Sequence, residues 1–164
     1  MKISNESNSA KSRNGNDLNA LVKDLLNNCM KRGLIKSFVF EPRYSHPSTS
    51  YEQFSPDFEI TLNDDSIIII DNTTTARHDR FKQKQWDAFG VKEYFKSDNK
   101  TVKYYVVLPD NDNIGSDSTR EKEIRNYLNE KNKLSNGTYF SMIDDIIQIS
   151  DLVNIIESAN FANV

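Results

Sequence analysis

The sequence predicts a single α/β domain, built on a mixed central β-sheet flanked by helices on both faces, and three observations carry that prediction. Amphipathic segments at helical spacing alternate along the chain with short β-branched runs. One such run, Ile67 to Ile70, is apolar without alternation, as a strand covered on both faces must be. The 164 residues suffice to bury one core and leave little room for a second module.

Residues 1–16 are rich in Ser, Asn and Lys with almost no apolar content, so they cannot offset their own ordering entropy. They are expected to form a flexible N-terminal arm ahead of a domain spanning 17–164. Asp17 is placed to cap a first helix, over about 17 to 31, in which Leu18, Leu21, Val22, Leu25, Leu26 and Cys29 follow at helical spacing and Gly33 ends the run. Ser37 to Phe40 is a short apolar strand, and residues 42 to 55, with their prolines, serines and His46, read as a loop.

The clearest local signal is a β-hairpin. Phe58 to Leu62 alternates, Asn63, Asp64 and Asp65 supply turn chemistry, and Ser66 to Asp71 is β-branched. Arg77 to Phe95 predicts a helix with Phe81, Ala88 and Phe95 on a seven-residue repeat and Phe89 beside them. Thr101 to Leu108 predicts another strand, and Pro109 to Ser118 a polar loop. A helix capped by Ser118 or Thr119 follows, carrying Ile124, Tyr127 and Leu128 and closed by Asn136-Gly137. A short strand at Thr138 to Phe140 comes next, then an amphipathic helix from Met142 to about Ser158, with a break near Ser150.

Composition excludes several classes. Hydrophobic residues make up 37%, charged residues 27%, and the mean hydropathy is -0.68. No apolar run approaches the roughly 20 residues a bilayer span needs, so no membrane association is expected. A single cysteine, Cys29, allows neither an internal disulfide nor a multi-cysteine metal site, and no basic-then-apolar leader is seen, so a cytoplasmic protein is expected. The two histidines, His46 and His78, lack zinc-ligand spacing. No glycine-rich phosphate loop and no GxSxG nucleophile elbow occurs.

The net charge of -3 argues against a uniformly basic nucleic-acid surface, but the charge is segregated. Residues 77–100 hold seven basic side chains against four acidic ones, a net of +3, while acids gather in 57–71. A hairpin brings its open ends together, so Asp57 and Asp71 are expected within several ångströms of each other. Two carboxylates in that position repel unless a cation lies between them, and hard oxygen donors select Mg²⁺ or Mn²⁺. The competing reading is two strand-end residues held by local hydrogen bonds.

Pro56-Asp57, a hairpin, and a β-branched strand ending Asp71-Asn72-Thr73 before a helix resemble the PD-(D/E)XK nuclease superfamily, the restriction-endonuclease-like fold. The order of elements also resembles the cleavage domains of type IIS restriction endonucleases. Asn136 to Asp145 is similar to that family's final strand and helix start, and the resemblance covers roughly residues 17 to 158. It implies a restriction-endonuclease-like core and Mg²⁺-dependent hydrolysis of DNA phosphodiester bonds, with Mn²⁺ as a substitute ion. Asp57 and Asp71 become metal ligands, with the backbone carbonyl of Asn72 as the third. Double-stranded DNA is the implied substrate. A homodimer or a larger heteromeric recognition subunit would supply the second cut and the sequence reading, with the loop 42 to 55 another candidate for recognition.

One departure is plain: the family places a lysine two residues after the second carboxylate, and this chain has Thr73. A hydroxyl with an ordinary pKa cannot act as the base. Either a basic group from the next segment, Arg77, Lys82 or Lys84, reaches the site, or the domain is a catalytically degenerate nuclease fold that binds nucleic acid or a partner without cutting. Gln85 stands between Phe81 and Phe89 on the face expected to meet the sheet, where a buried amide is costly without a partner. It reads either as a site residue or as a side chain satisfied by backbone. In helix one, Asp17 and Asp24 could add an acid near the metal, and Trp86 with Phe89 and Tyr94 reads as core or interface more readily than as a base-stacking platform.

Overall fold

The computed structural model describes residues 8–45, 53–73, 78–109 and 142–161. The expected loop 109–118, the helix after Ser118 and the strand at Thr138 to Phe140 fall almost wholly outside those residues. The described elements are α1 (Asn8–Lys31), β1 (Ser37–Phe40), β2 (Tyr44–Ser45), β3 (Gln53–Phe54), β4 (Phe58–Thr61) and β5 (Ile67–Asn72). They continue with α2 (His78–Phe95), a 3-10 turn at Lys96–Asp98, β6 (Val102–Leu108), β7 (Asp145–Gln148) and α3 (Ile149–Phe161). Among the described residues no helix is long and apolar enough to cross a membrane.

The five-stranded sheet has the order β1-β4-β5-β6-β7. β4 pairs antiparallel with β1 and with β5, whereas β6 runs parallel to β5 and β7 parallel to β6. The sheet is therefore mixed, as expected. Its centre is β5, whose four isoleucines are 0 to 2% exposed. Each such side chain contributes about 2 kcal/mol by leaving water. Alternation divides them: Ile67 and Ile69 join Ala88, Val91 and Phe95 of α2 in one core, and Ile68 and Ile70 join Val22 and Leu26 of α1 and Leu152 and Ile156 of α3 in the other. The sheet thus has helices on both faces.

The hairpin turn closes through Leu62 N–H donating to Ser66 O at 2.9 Å and Asp65 N–H to Leu62 O at 3.0 Å, with Asp65 at φ 69°. Asp64 Oδ1 accepts from Ser66 N–H at 3.0 Å, the local side-chain bond that suits aspartate to turns. Gly33 ends α1 as expected. At φ 72° its N–H donates to Met30 O and Leu34 N–H donates to Cys29 O, the paired bonds of a Schellman cap.

Three expectations are corrected. First, α1 starts at Asn8, within the expected arm, so Asp17 lies inside the helix and does not cap it. Once a helix is nucleated by the packing of residues 18–29, extending it backwards costs little, and nothing in residues 8–16 blocks it beyond one glycine, Gly15. Second, the loop 42 to 55 holds an antiparallel ribbon, β2 with β3, pairing Tyr44 with Phe54. The ribbon leans on α2, where Tyr44 meets Tyr94 and Phe95 at ring centroid distances of 5.0 and 5.4 Å. Gly90 makes room for the Phe54 ring, which a Cβ there would overlap.

Third, the last helix does not begin at Met142: residues 145–148 form β7, and α3 begins at Ile149. Ile146 and Ile147 are buried on opposite faces, which a strand allows. Asp144 anchors the segment, donating its N–H to Tyr104 O at 2.8 Å while its Oδ2 accepts Tyr104 N–H at 2.7 Å. Asp151 Oδ2 then takes Gln148 N–H at 3.0 Å, half of a capping box, and starts the helix there.

Candidate active site

The site lies where β4 begins and β5 ends. Asp57 N–H donates to Ile70 O at 3.0 Å, and Asp57 Oδ2 accepts Asn72 N–H at 2.6 Å. These bonds set the backbone polarity of β5: the N–H and C=O of residues 70 and 72 point to β4, whereas Thr73 N–H turns to Val107 O at 2.9 Å. The Asn72 carbonyl is therefore directed to the side of the strand on which Asp57 stands.

Side-chain alternation adds the second layer. Asp71 continues the face of Ile67 and Ile69, so it points at α2. There Lys84 Nζ meets Asp71 Oδ1 at 2.6 Å, with the two side chains 12% and 13% exposed. Tyr104, on the same face of β6, donates its hydroxyl to Asp71 Oδ2 at 2.8 Å. Tyr104 is fully buried, and that burial, with the Asp71 charge beside it, holds its hydroxyl well above the ordinary range. It stays protonated and remains a donor. Both oxygens of Asp71 are thus engaged by protein donors.

Asp57 is pushed up to about 6 by burial first and by the Asp71 charge second, opposed by the Asn72 N–H, by Lys84 and by a hydrogen bond from the Asn19 side chain. Asp87, three residues beyond Lys84 on the same side of α2, is also pushed up to about 6, by burial and then Asp71, with Lys84 opposing. The cluster therefore holds more negative charge than its one lysine balances. Among the described residues, however, no group of three His, Cys, Asp or Glu side chains is arranged to hold a metal.

Of the residues named from the sequence, Asp57, Asp71, Asn72 and Lys84 come together. Thr73 follows them at the strand end, 4% exposed. Gln85 turns elsewhere: its Oε1 accepts the N–H groups of Met142 at 2.7 Å and Ile143 at 3.0 Å, fastening the approach to β7 onto α2. Asp17 and Asp24 are exposed on α1. Trp86 is 49% exposed and stacks on Phe89, with centroids 5.7 Å apart. The side chains of Arg77, His78, Lys82 and His46 lie outside the described residues.

Three residues of the cluster were not singled out from the sequence. Asn19, not an acid, is what helix one brings to Asp57, and Asn72 Nδ2 donates to its Oδ1 at 2.7 Å. Its signal was a polar residue bordering the Leu18, Val22, Leu26 stripe. Tyr104 could have been noticed as a phenol in a buried strand, which needs a partner for its hydroxyl. Asp87 could have been noticed from its i+3 spacing to Lys84.

No family model matches this chain, and neither curated proteins nor solved structures yield a match.

Proposed function

We propose that this chain is a metal-dependent endodeoxyribonuclease with a restriction-endonuclease-like core, hydrolysing phosphodiester bonds of double-stranded DNA. The observation that carries the reading is the Lys84 to Asp71 contact at 2.6 Å. It supports the first of the two explanations for Thr73, because a lysine from the following helix stands at the second carboxylate of the hairpin.

The residues present fit a hard divalent cation. All the ligand atoms would be oxygens, and burial first and the Asp71 charge second hold up the carboxyl of Asp57, a cost that a bound cation would relieve. Among the described residues, Asn72 Oδ1 is buried with no hydrogen-bond partner. Asp57, Asp71 and the Asn72 carbonyl would hold Mg²⁺ or Mn²⁺, which when bound neutralises phosphate charge and acidifies a water. Tyr104 holds Asp71 to one orientation. Lys84 has three donors and gives one to Asp71, leaving others to orient a water or a phosphate oxygen.

One such site cuts one strand, so a double-strand break calls for a second site, from a second copy or a larger recognition subunit. The alternative, a degenerate nuclease-fold module that binds nucleic acid or a partner protein, has one observation in its favour: Tyr104 and Lys84 already engage both Asp71 oxygens.

A nicking assay on supercoiled plasmid separates the two. The nuclease reading expects cutting that requires Mg²⁺ or Mn²⁺, stops in chelator, and is lost in Asp71→Asn while DNA binding is kept. A wild-type protein that neither nicks nor binds metal by calorimetry refutes it.

A further inference from the structure

The two partners of Asp71 differ in kind. The Tyr104 hydroxyl donates to Oδ2 at 2.8 Å, and Lys84 Nζ lies 2.6 Å from Oδ1. Tyr104 is fully buried, and its ring belongs to the core that also holds Ile69 and Val106. It is a fixed, neutral donor, so it can keep its bond to Asp71 whatever charge stands on the other side of the carboxylate. Lys84 is a full charge at the end of a four-carbon stem on α2, and the Lys84 and Asp71 side chains keep 12 and 13% of their surface in contact with water. This contact can therefore open without unpacking the core.

A carboxylate has about four lone-pair directions, so the number of partners does not limit Asp71. Charge does. A divalent ion such as Mg²⁺ on either oxygen would stand about 2.1 Å from it, beside an ammonium already in contact with the same group. Like charges that close repel strongly where so little water screens them. A lysine that only oriented Asp71 would raise the affinity for a cation, as partners of metal ligands do. An ammonium that shares the carboxylate with the cation lowers it.

We propose that Lys84 competes with a divalent cation for Asp71 and gives up the carboxylate when the cation binds, so that its ammonium carries all three donors to a substrate phosphate oxygen only once the metal is in place. This rests on the metal-site reading of the preceding section. Lys84 then acts as the counter-charge that keeps Asp71 folded in until the cation replaces it.

The test is calorimetric titration of Mn²⁺ into the full chain as wild type, Lys84→Met and Tyr104→Phe, together with acetylation of wild-type lysines, with Mn²⁺ and in chelator, read by peptide mass spectrometry. Lys84→Met is expected to bind Mn²⁺ about 10- to 100-fold more tightly than wild type, the factor that a hydrogen bond to a charged group is worth. Tyr104→Phe, which removes only a neutral donor, should not tighten binding. Acetylation of Lys84 should rise on adding Mn²⁺, relative to Lys96, which is 77% exposed throughout. The acetylation arm needs only wild-type protein and stands even if Lys84→Met folds poorly. A wild type that binds Mn²⁺ with no rise in Lys84 acetylation, a folded Lys84→Met that binds Mn²⁺ no more tightly, or a Tyr104→Phe that tightens as much overturns the competition and leaves the metal site standing. Wild-type protein that binds no Mn²⁺ overturns the metal-site reading, and this inference with it.

Discussion

Replacing Lys84 with methionine tests both the architecture and the chemistry of the cluster. Lys84→Met keeps the unbranched stem against α2 and removes the ammonium. Asp71 then retains its charge at 13% side-chain exposure, bonded through one oxygen to Tyr104 and with Asp57 and Asp87 within electrostatic reach. Removing one partner of a buried ion pair costs about 3 to 5 kcal/mol. Water reaches this pair at the residual 12% and 13% exposure, which places the expected cost at the lower end, about 3 kcal/mol. For a chain of this length that is a melting temperature lower by about 6 to 12 °C. Scanning calorimetry in chelator at neutral pH measures it. Asp71→Asn in the same chain removes the stranded charge, so the double variant Asp71→Asn/Lys84→Met should recover most of the loss. Nicking should be lost in both single variants. A Lys84→Met protein that melts with the wild type, or a double variant whose losses simply add, refutes the claim that the two charges support each other.

Two further outcomes follow from the same geometry. The folded Asp57 carboxyl sits at about 6 against an ordinary 3.8, so the folded state binds its proton more tightly than the unfolded one. That contribution is fully present below about 3.8 and is lost as pH rises through about 6, on the order of 3 kcal/mol. In metal-free protein, urea denaturation from pH 4 upward should show Asp57→Asn with a flatter pH dependence than wild type, and identical slopes would contradict the shift. Gln85→Leu strips the acceptor from the Met142 and Ile143 N–H groups and should cost about 2 to 4 kcal/mol, whereas Gln85→Glu keeps that acceptor and should cost less than Gln85→Leu. Nicking by Gln85→Glu at the wild-type rate would place Gln85 in the fold and outside the chemistry.

The sequence by itself determined what is local. The hairpin and its turn, the Gly33 cap, the buried β5 strand and the approach of Asp57 to Asp71 all follow from residues within about one turn or one strand of each other. In each, side-chain period or backbone preference acts without help. β7 shows where this ends: Asp-Ile-Ile-Gln at 145–148 suits a helix or a strand, and the edge of β6, with Asp144 tied to Tyr104, decides for the strand.

The composition of the site was decided by tertiary structure. Lys84 reaches Asp71 across 13 residues, Tyr104 across 33, Asn19 reaches Asn72 across 53, and Gln85 bonds a backbone 57 residues away. Pattern in the chain narrowed Lys84 to one of three basic candidates and left Gln85 between two readings. The alternation of β5 turned Asp71 to α2 and Asn72 to α1, and the packing of those helices then selected which polar group met each. A side chain's partner across the sheet depends on register and helix rotation together, and neither is encoded in the spacing of residues along one segment.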